Sequence, residues 1–214
     1  MKFVMFVEGE TERKALPAFV KRWLDPQLSQ NVGVQPILFV GWSDLVRNMV
    51  SRAHAYLNSP GSSEIIAVIS LLDLYGPDFY PANRTTADQR YHWAKADLEA
   101  KVGHRKFHQH FAVHECEAWL LSNLNAFPRE LRTGFPGRCA QPENVNCNEP
   151  PKKLLRRLYR ERLRDSYKEV VHGAELFAEL DPVVAHRKCP RLREMLDEML
   201  ALAKDAGLGT AATA

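Results

Sequence analysis

Four apolar runs of strand length recur along the chain, and segments with apolar residues at helical spacing separate them. In the first run, KFVMFV at Lys2 to Val7, and in the third, EIIAVISLL at Glu64 to Leu72, nearly every residue is apolar. Such runs indicate strands that are covered on both faces, as in a parallel sheet. The other two predicted strands are Val34 to Gly41 and Lys106 to Val113.

Helices are predicted between and after these strands from the spacing of apolar residues and from start and stop signals. They are Thr11 to Asp25, Ser43 or Asp44 to Leu57, Ala87 to Val102, Glu115 to Leu124, Pro151 to Leu163, Tyr167 to Leu180 and Pro190 to Lys204. The alternation of strand and helix favours a parallel sheet with right-handed crossovers. We therefore expect an α/β fold, in which a Rossmann-like parallel four-stranded sheet is flanked by helices and followed by a helical C-terminal extension.

The organisation of the chain follows from where this alternation stops. We expect an α/β core over residues 1–124 and a loop excursion over 125–150, where Pro, Gly and Asn are frequent. A basic helical extension over 151–205 is predicted to pack on the core. The tail over 206–214, rich in Gly and Ala, is predicted to fray.

The composition is that of a soluble globular protein, with 45% hydrophobic and 26% charged residues among 214 and a net charge of +3. No apolar run reaches the roughly 18 residues that span a bilayer, and no secretory signal is recognised, so we expect no membrane association. None of the four cysteines forms a CxxC pair, so we expect reduced thiols and a cytoplasmic protein. A zinc site through Cys139 and Cys147 stays open as an alternative.

Carboxylates follow three of the predicted strands. Glu8 follows the first, Asp73 the third, and Glu115 and Glu117 the fourth. Ligands of open parallel sheets bind at the carboxyl ends of the strands, where converging acids repel each other unless a cation lies between them. Oxygen ligands alone suit Mg²⁺ or Mn²⁺. Glu12 lies one helical turn beyond Glu8, so it can face the same site. The alternative is that these acids only favour helix dipoles.

A basic segment follows the excursion. Between Lys152 and Lys168 there are eight Lys and Arg residues against Glu161 and Asp165. Leucines form an apolar stripe, so the outward cations are predicted to bind a nucleic-acid backbone. These cations are Lys153, Arg156, Arg157, Arg160 and Arg164. A solvated helix face, or a surface for an acidic protein partner, is the alternative.

Three histidines lie on and after the fourth strand. His108 and His110 share a face by alternation, and with Glu117 they are candidate zinc ligands. The alternative is that they are ordinary residues of the sheet or its edge, with His114 close to the acidic site.

The sequence VEGETE at Val7 to Glu12 resembles the first Toprim motif, as found in topoisomerases, primases and OLD-type nucleases. The second Toprim motif is usually DxD, and here it reads Asp73-Leu74-Tyr75, so the second aspartate is replaced by tyrosine. Four segments in order resemble a family of small stand-alone Toprim-like proteins, domain of unknown function family 4276. They are FVEGETE, LLDLYGPDFYP, HECEAWLLSN and PPKKLLRRLY, the last followed by Tyr167-Lys168, Gly173 and Cys189-Pro190.

The resemblance implies a Toprim-like fold, dependence on Mg²⁺ or Mn²⁺ and a nuclease role in a bacterial defence or mobile-element system, beside an ATPase of the ABC or SMC type. The family pattern Pro-Ser-Lys corresponds to Pro150-Pro151-Lys152, which makes Lys152 the matching lysine. Glu8 and Asp73 then hold the metal, Glu12 and Glu117 complete its shell or bind a second ion, and Lys152 neutralises charge on the scissile phosphate. Glu117 is favoured over Glu115 because the family motif matches there.

Two other functions are compatible with the same residues. One is a catalytically reduced subunit or regulator that binds an ATPase partner or nucleic acid, and the other is phosphotransfer on a nucleotide. A homo-oligomer also stays open.

Overall fold

A parallel sheet forms the centre of the structure, a computed structural model that describes residues 1–144 and 149–209. Its strands are β1 (Lys2–Val7), β2 (Gly33–Leu38), β3 (Ile65–Asp73) and β4 (Phe107–Ala112). Their order is β2-β1-β3-β4, and every neighbouring pair is parallel. The fold class predicted from the sequence is therefore confirmed.

The sheet is covered on both faces, as the apolar runs predicted. Along β1 the side chains alternate, so Phe3 and Met5 enter one hydrophobic cluster whereas Val4 and Phe6 enter the other. All four are fully buried. Burial on both faces explains why the strand lacks the alternation of polar and apolar residues that a half-exposed strand shows.

Helices form the outer layers. They are α1 (Glu10–Leu24), α2 (Gly41–Leu57), α3 (Ala87–Val102), α4 (Glu117–Leu120), α5 (Arg129–Arg132), α6 (Pro151–Leu158), α7 (Ala174–Glu179), α8 (Pro182–Lys188) and α9 (Pro190–Ala203). Helices α2 and α3 contribute to one cluster through Leu45, Met49 and Leu98. Helix α1 and the C-terminal helices contribute to the other through residues such as Phe19, Leu155 and Leu192. The C-terminal extension thus covers the sheet face that α1 leaves open.

The helical elements differ from the predictions mainly at their ends. Helix α1 begins one residue earlier than predicted, after Gly9 rather than at a Thr11 cap. The helix predicted after β4 is a single turn, α4, because the chain turns away after Leu121. The helix predicted from Tyr167 is divided into a π-helical turn, Glu169–Gly173, and α7. Helix α8 was not predicted, although the Asp181 side chain caps it by accepting the Val183 N–H at 2.8 Å.

The excursion over 125–150 contains α5 and short 3₁₀ turns at Gly137–Ala140 and Pro142–Asn144. The predicted fraying is wrong for Leu208, which is buried in the core and follows α9 through a π-helical turn, Lys204–Leu208. Cys147 and the last five residues, 210–214, lie outside the described residues. Within those residues, no helix is both long and apolar enough to cross a membrane.

Candidate active site

The strand order places a topological switch point between β1 and β3. The chain leaves β1 toward β2 on one side of the sheet and later adds β3 and β4 on the other. In sheets of this kind the crevice at the carboxyl ends of the two central strands is the usual ligand site. Glu8 directly follows β1 and Asp73 is the last residue of β3, so both acids flank this crevice.

Glu8 is held by main-chain donors. Its Oε1 accepts a hydrogen bond from the Asp73 N–H at 2.6 Å. Burial raises the pKa of Glu8, the Asp73 N–H opposes that rise, and the charge of Glu12 adds to it. The Trp42 N–H at the start of α2 also opposes the rise in the pKa of Glu8.

Asp73 and Glu117 are the two acids that flank Lys152, and Glu117 is the more buried of them. Burial raises the pKa of Asp73 well above its ordinary value, and the neighbouring Glu8 carboxylate raises it further. Burial also raises the pKa of Glu117 to about 7, against the opposing charge of Lys152. The Glu117 side chain is 1% exposed. A cation between the two carboxylates therefore reduces the free-energy cost of burying them close together.

Lys152 supplies positive charge at this point. Its Nζ lies 3.7 Å from Asp73 Oδ2 and 3.7 Å from Glu117 Oε2. Burial alone would lower the pKa of Lys152, but Glu117 and Asp73 raise it above its ordinary value, so the side chain is an ammonium. Lys152 is in the first turn of α6, where Glu115 Oε2 accepts its backbone N–H at 2.9 Å. Glu115 thus anchors the helix that carries the lysine.

Glu12 folds back toward the start of its own helix. A Cβ at Gly9 would lie 2.2 Å from Glu12 Oε2, so only glycine leaves space for this carboxylate. Cys116 Sγ lies 3.3 Å from Glu12 Oε1 and 3.5 Å from Glu117 Oε2, so its single S–H can donate to either carboxylate. The structure therefore brings together the five residues predicted as metal ligands or catalytic groups, namely Glu8, Glu12, Asp73, Glu117 and Lys152.

The donor set fits a hard divalent cation in its chemistry, because it consists of carboxylate oxygens. Glu117 Oε1 is buried and has no hydrogen-bond partner, and the space beside it is shared with the Lys152 ammonium. Across residues 1–144 and 149–209, however, no three His, Cys, Asp or Glu side chains are already arranged around a common metal position. Metal binding at this centre therefore requires the carboxylates to draw together.

The predicted basic residues divide into two groups. Arg157 is occupied by Glu149 at 2.5 Å and Glu161 at 3.0 Å, and Arg156 forms an ion pair with Glu169. Lys153, Arg160 and Arg164 are exposed. All five were predicted to be outward cations because the apolar stripe does not show which acids pair with them. Glu161 lies within the same segment, and Glu149 and Glu169 flank it.

The zinc alternative through His108, His110 and Glu117 is wrong as to its acid. His108 Nδ1 and His110 Nε2 contact the two oxygens of Glu198 at 2.6 and 3.0 Å. Glu198 belongs to α9, which packs beside β4, whereas Glu117 belongs to the carboxylate centre.

His114 and Tyr75 stack on each other, with ring centroids 4.6 Å apart and an angle of 12°. His114 has a left-handed backbone, φ 68°, at the turn that leads from β4 to Glu117. Tyr75, at the position of the missing DxD aspartate, thus packs against this turn.

Three residues of the site were not predicted. They are Cys116, Glu115 as the anchor of α6, and Tyr167. The Tyr167 hydroxyl is buried, and a Cβ at Gly173 would lie 3.2 Å from it. The sequence did give a signal for Tyr167, because Tyr167 and Gly173 are among the residues that carry the family resemblance.

Comparison with known proteins gives one family match and distant structural matches. The model of the family described as Domain of unknown function (DUF4276) matches residues 7–200. The C-terminal region of the Burkholderia pseudomallei OLD protein is 16% identical, with 91% of this chain and 98% of that chain covered and a TM-score of 0.43. The C-terminal region of the Xanthomonas campestris pv. campestris OLD protein is 17% identical, with 96% and 97% covered and a TM-score of 0.44. No curated protein matches.

Proposed function

The chain belongs to the DUF4276 family, and from its carboxylate centre we propose that it is a divalent-metal-dependent nuclease that hydrolyses phosphodiester bonds of DNA or RNA. The observation that carries the proposal is the Lys152 ammonium between Asp73 and Glu117 at the switch point of the sheet. A buried cluster of acids with a lysine at its centre is costly to fold, so it is retained where it serves chemistry.

The residues divide the work of hydrolysis. Glu8, Glu12, Asp73 and Glu117 hold Mg²⁺ or Mn²⁺, which when bound polarises a phosphoryl oxygen and lowers the pKa of a coordinated water. The Asp73 N–H fixes the orientation of Glu8, and the Cys116 thiol orients Glu12 or Glu117. Lys152 moves from the acids to the phosphate, where it stabilises the charge that develops on the non-bridging oxygens.

The basic segment supports a polyanionic substrate. Lys152 lies in the first turn of α6, and the exposed cations Lys153, Arg160 and Arg164 lie on the same continuous segment. Positive charge next to a metal centre attracts a phosphate backbone and raises the rate of encounter. We propose that the protein acts in the cytoplasm in a bacterial defence or mobile-element system, with an ABC or SMC-type ATPase as partner.

A second function is favoured by one observation. Tyr75 stands at the position where a second aspartate would extend the ligand set, and its ring is stacked on His114. If cleavage requires two ions, the function is that of a catalytically reduced subunit, which binds an ATPase or nucleic acid through the same centre.

Cleavage assays separate the two functions. The purified protein is incubated with plasmid, single-stranded DNA and RNA in Mg²⁺ or Mn²⁺, beside Glu8→Gln and Asp73→Asn. We expect cleavage by the wild type and at least 100-fold slower cleavage by both variants, roughly the contribution of a single metal-centred group. Glu10→Gln, which removes an exposed acid from the first turn of α1, serves as the control.

Cleavage that survives both substitutions would contradict the assignment of the centre. Metal binding without cleavage of any substrate, by folded wild-type protein, would favour the reduced subunit.

A further inference from the structure

A pocket of about 680 Å³ lies along the segment that continues from α6. It is lined by Arg156, Arg160, Arg164, Asp165, Ser166 and Tyr167. The arginines are four residues apart, so they follow one side of the helix and of the π-helical turn Tyr159–Leu163. Arg164 then ends the helical segment in a left-handed conformation, φ 53°, which turns Ser166 and Tyr167 back to close the pocket.

The charge of this pocket suits an anion. Arg156 is paired with Glu169, but Arg160 and Arg164 form no ion pair within residues 1–144 and 149–209. The one acid on the pocket wall, Asp165, accepts the Ser166 N–H at 2.7 Å. Guanidinium groups bind phosphate oxygens through paired donors in a planar fork, so the unpaired Arg160 and Arg164 around one cavity suit a phosphate group.

Tyr167 connects the pocket with the carboxylate centre. Its ring is buried, and burial followed by the charge of Glu117 raises the pKa of its hydroxyl. A Cβ at Gly173 would lie 3.2 Å from the Tyr167 hydroxyl and 2.9 Å from Thr11 Cγ2, so Tyr167 is close to the residue before Glu12 while it also lines the arginine pocket. The two sites share this wall.

The distance between the carboxylate centre and the arginine pocket is too long for one phosphate group to contact both. Arg160 and Arg164 lie eight and twelve residues after Lys152, roughly 12 and 18 Å along a helical axis at 1.5 Å per residue. A phosphate at Lys152 cannot reach them. A chain with several phosphates can occupy both.

We propose that the arginine pocket, defined by Arg156, Arg160 and Arg164, binds a second phosphate group of a polynucleotide whose scissile phosphate lies at the carboxylate centre. The substrate class is then a polynucleotide and not a free nucleotide. This inference rests on the proposed function, and it names the group that is recognised: an internal phosphodiester or a terminal phosphate of the same strand.

Binding is measured without divalent metal, so that it is independent of cleavage. Fluorescence anisotropy follows short single-stranded oligonucleotides with and without a terminal phosphate, over a range of salt concentrations. The variant Arg160→Ala/Arg164→Ala is compared with Lys101→Ala/Arg105→Ala, which removes the same charge from the end of α3 and the exposed loop after it. Arg160→Ala alone guards against a folding defect of the double variant.

We expect the pocket variant to bind about tenfold more weakly than the control variant, since hydrogen bonds to charged groups are among the strong ones. The slope of log affinity against log salt should fall by about 0.7, as for one phosphate contact of a single strand. Equal weakening for both oligonucleotides identifies an internal phosphate, and weakening only with the terminal phosphate identifies the strand end; either supports the pocket.

The pocket is refuted if its variant binds as tightly as the wild type, or if both double variants weaken binding equally. Neither result bears on cleavage by the wild type, which tests the proposed function separately. Conversely, if the wild type cleaves no substrate but its binding still depends on Arg160 and Arg164, the proposal for the pocket stands and the proposed nuclease activity does not.

Discussion

The backbone N–H of Asp73 donates to Glu8 Oε1 at 2.6 Å and so joins the ends of the two strands that border the switch point. Because the main chain of Asp73 makes this bond, its side chain is left to face Lys152. Asn or Ala at position 73 keeps the donor to Glu8. Substitution of Asp73 is therefore a clean way to remove one carboxylate without releasing the other.

Metal binding should stabilise the folded protein. Mn²⁺ at 100 times its dissociation constant should add about 2.7 kcal/mol to the free energy of unfolding, because the unfolded chain lacks the site. Thermal unfolding of the wild type, Asp73→Asn and Glu10→Gln with and without Mn²⁺ measures the effect. The rise in melting temperature on addition of Mn²⁺ should persist in Glu10→Gln, because the Glu10 side chain is exposed and paired with Arg13. A full shift in Asp73→Asn would show that the ion binds elsewhere.

Glu117 should make the metal-free protein less stable as the pH rises. Burial raises its pKa from 4.5 to about 7, so between these values the unfolded chain has lost the proton that the folded protein keeps. The unfolded state then binds fewer protons, and the free energy of unfolding falls with pH, by up to about 3 kcal/mol. Urea unfolding in a chelator, near pH 5 and near pH 8, should show that Glu117→Gln gains stability relative to the wild type at the higher pH. A constant difference between the two proteins would argue against a raised pKa at this residue.

Lys152→Met should destabilise the metal-free protein by about 2 kcal/mol. The loss of the ammonium leaves Asp73 and Glu117 without their shared counter-charge, and the value is reduced because the lysine is 24% exposed. Adding Glu117→Gln to Lys152→Met should restore most of the loss, which denaturant unfolding can measure as a double-mutant cycle. Lys153→Met, at the exposed neighbouring position, should change stability by less than about 0.5 kcal/mol. Additive effects of the two substitutions at 152 and 117 would mean that these groups do not interact.

Glu143 should hold the start of α9. Its two oxygens accept the N–H groups of Arg191 at 2.8 Å and Leu192 at 3.2 Å, which have no partner within the helix. Glu143→Ala should lower the free energy of unfolding by about 1–2 kcal/mol, as for other lost helix caps. Glu130→Ala, an exposed acid of the same excursion, is the matched control in denaturant unfolding. Equal stability of both variants would show that water replaces the Glu143 carboxylate.

The fold followed from the sequence because its strongest signals are local. The apolar run from Phe3 to Val7 can only be a strand buried on both faces, and a carboxylate that directly follows such a strand lies at the carboxyl edge of the sheet. Glu8 and Asp73 were therefore predictable as neighbours from two strand ends. Glu115 and Glu117 both follow the fourth strand, so the choice of Glu117 required the family resemblance, as did Lys152.

Partners between distant segments were not predictable from the sequence. One of the two interpretations of His108 and His110 grouped them with Glu117, but the acid that His110 contacts is Glu198, 88 residues later. Arg156 was expected to be an outward cation, but it is paired with Glu169, 13 residues later. Such pairs depend on how α6 and α9 pack against the sheet, which is decided by long-range burial of apolar side chains.

The sequence by itself determined the α/β alternation, the buried strands and the presence of acids at strand ends, because each of these depends on the order of neighbouring residues. The family followed from the resemblance of four segments to known motifs. Only the tertiary structure decided that Lys152 lies between Asp73 and Glu117, that Cys116 can donate to Glu12 or Glu117, and that Arg160 and Arg164 border one pocket. The physical reason is that electrostatic and hydrogen-bond partners act over a few ångströms in space, and chain separation carries no information about that distance until the core is packed.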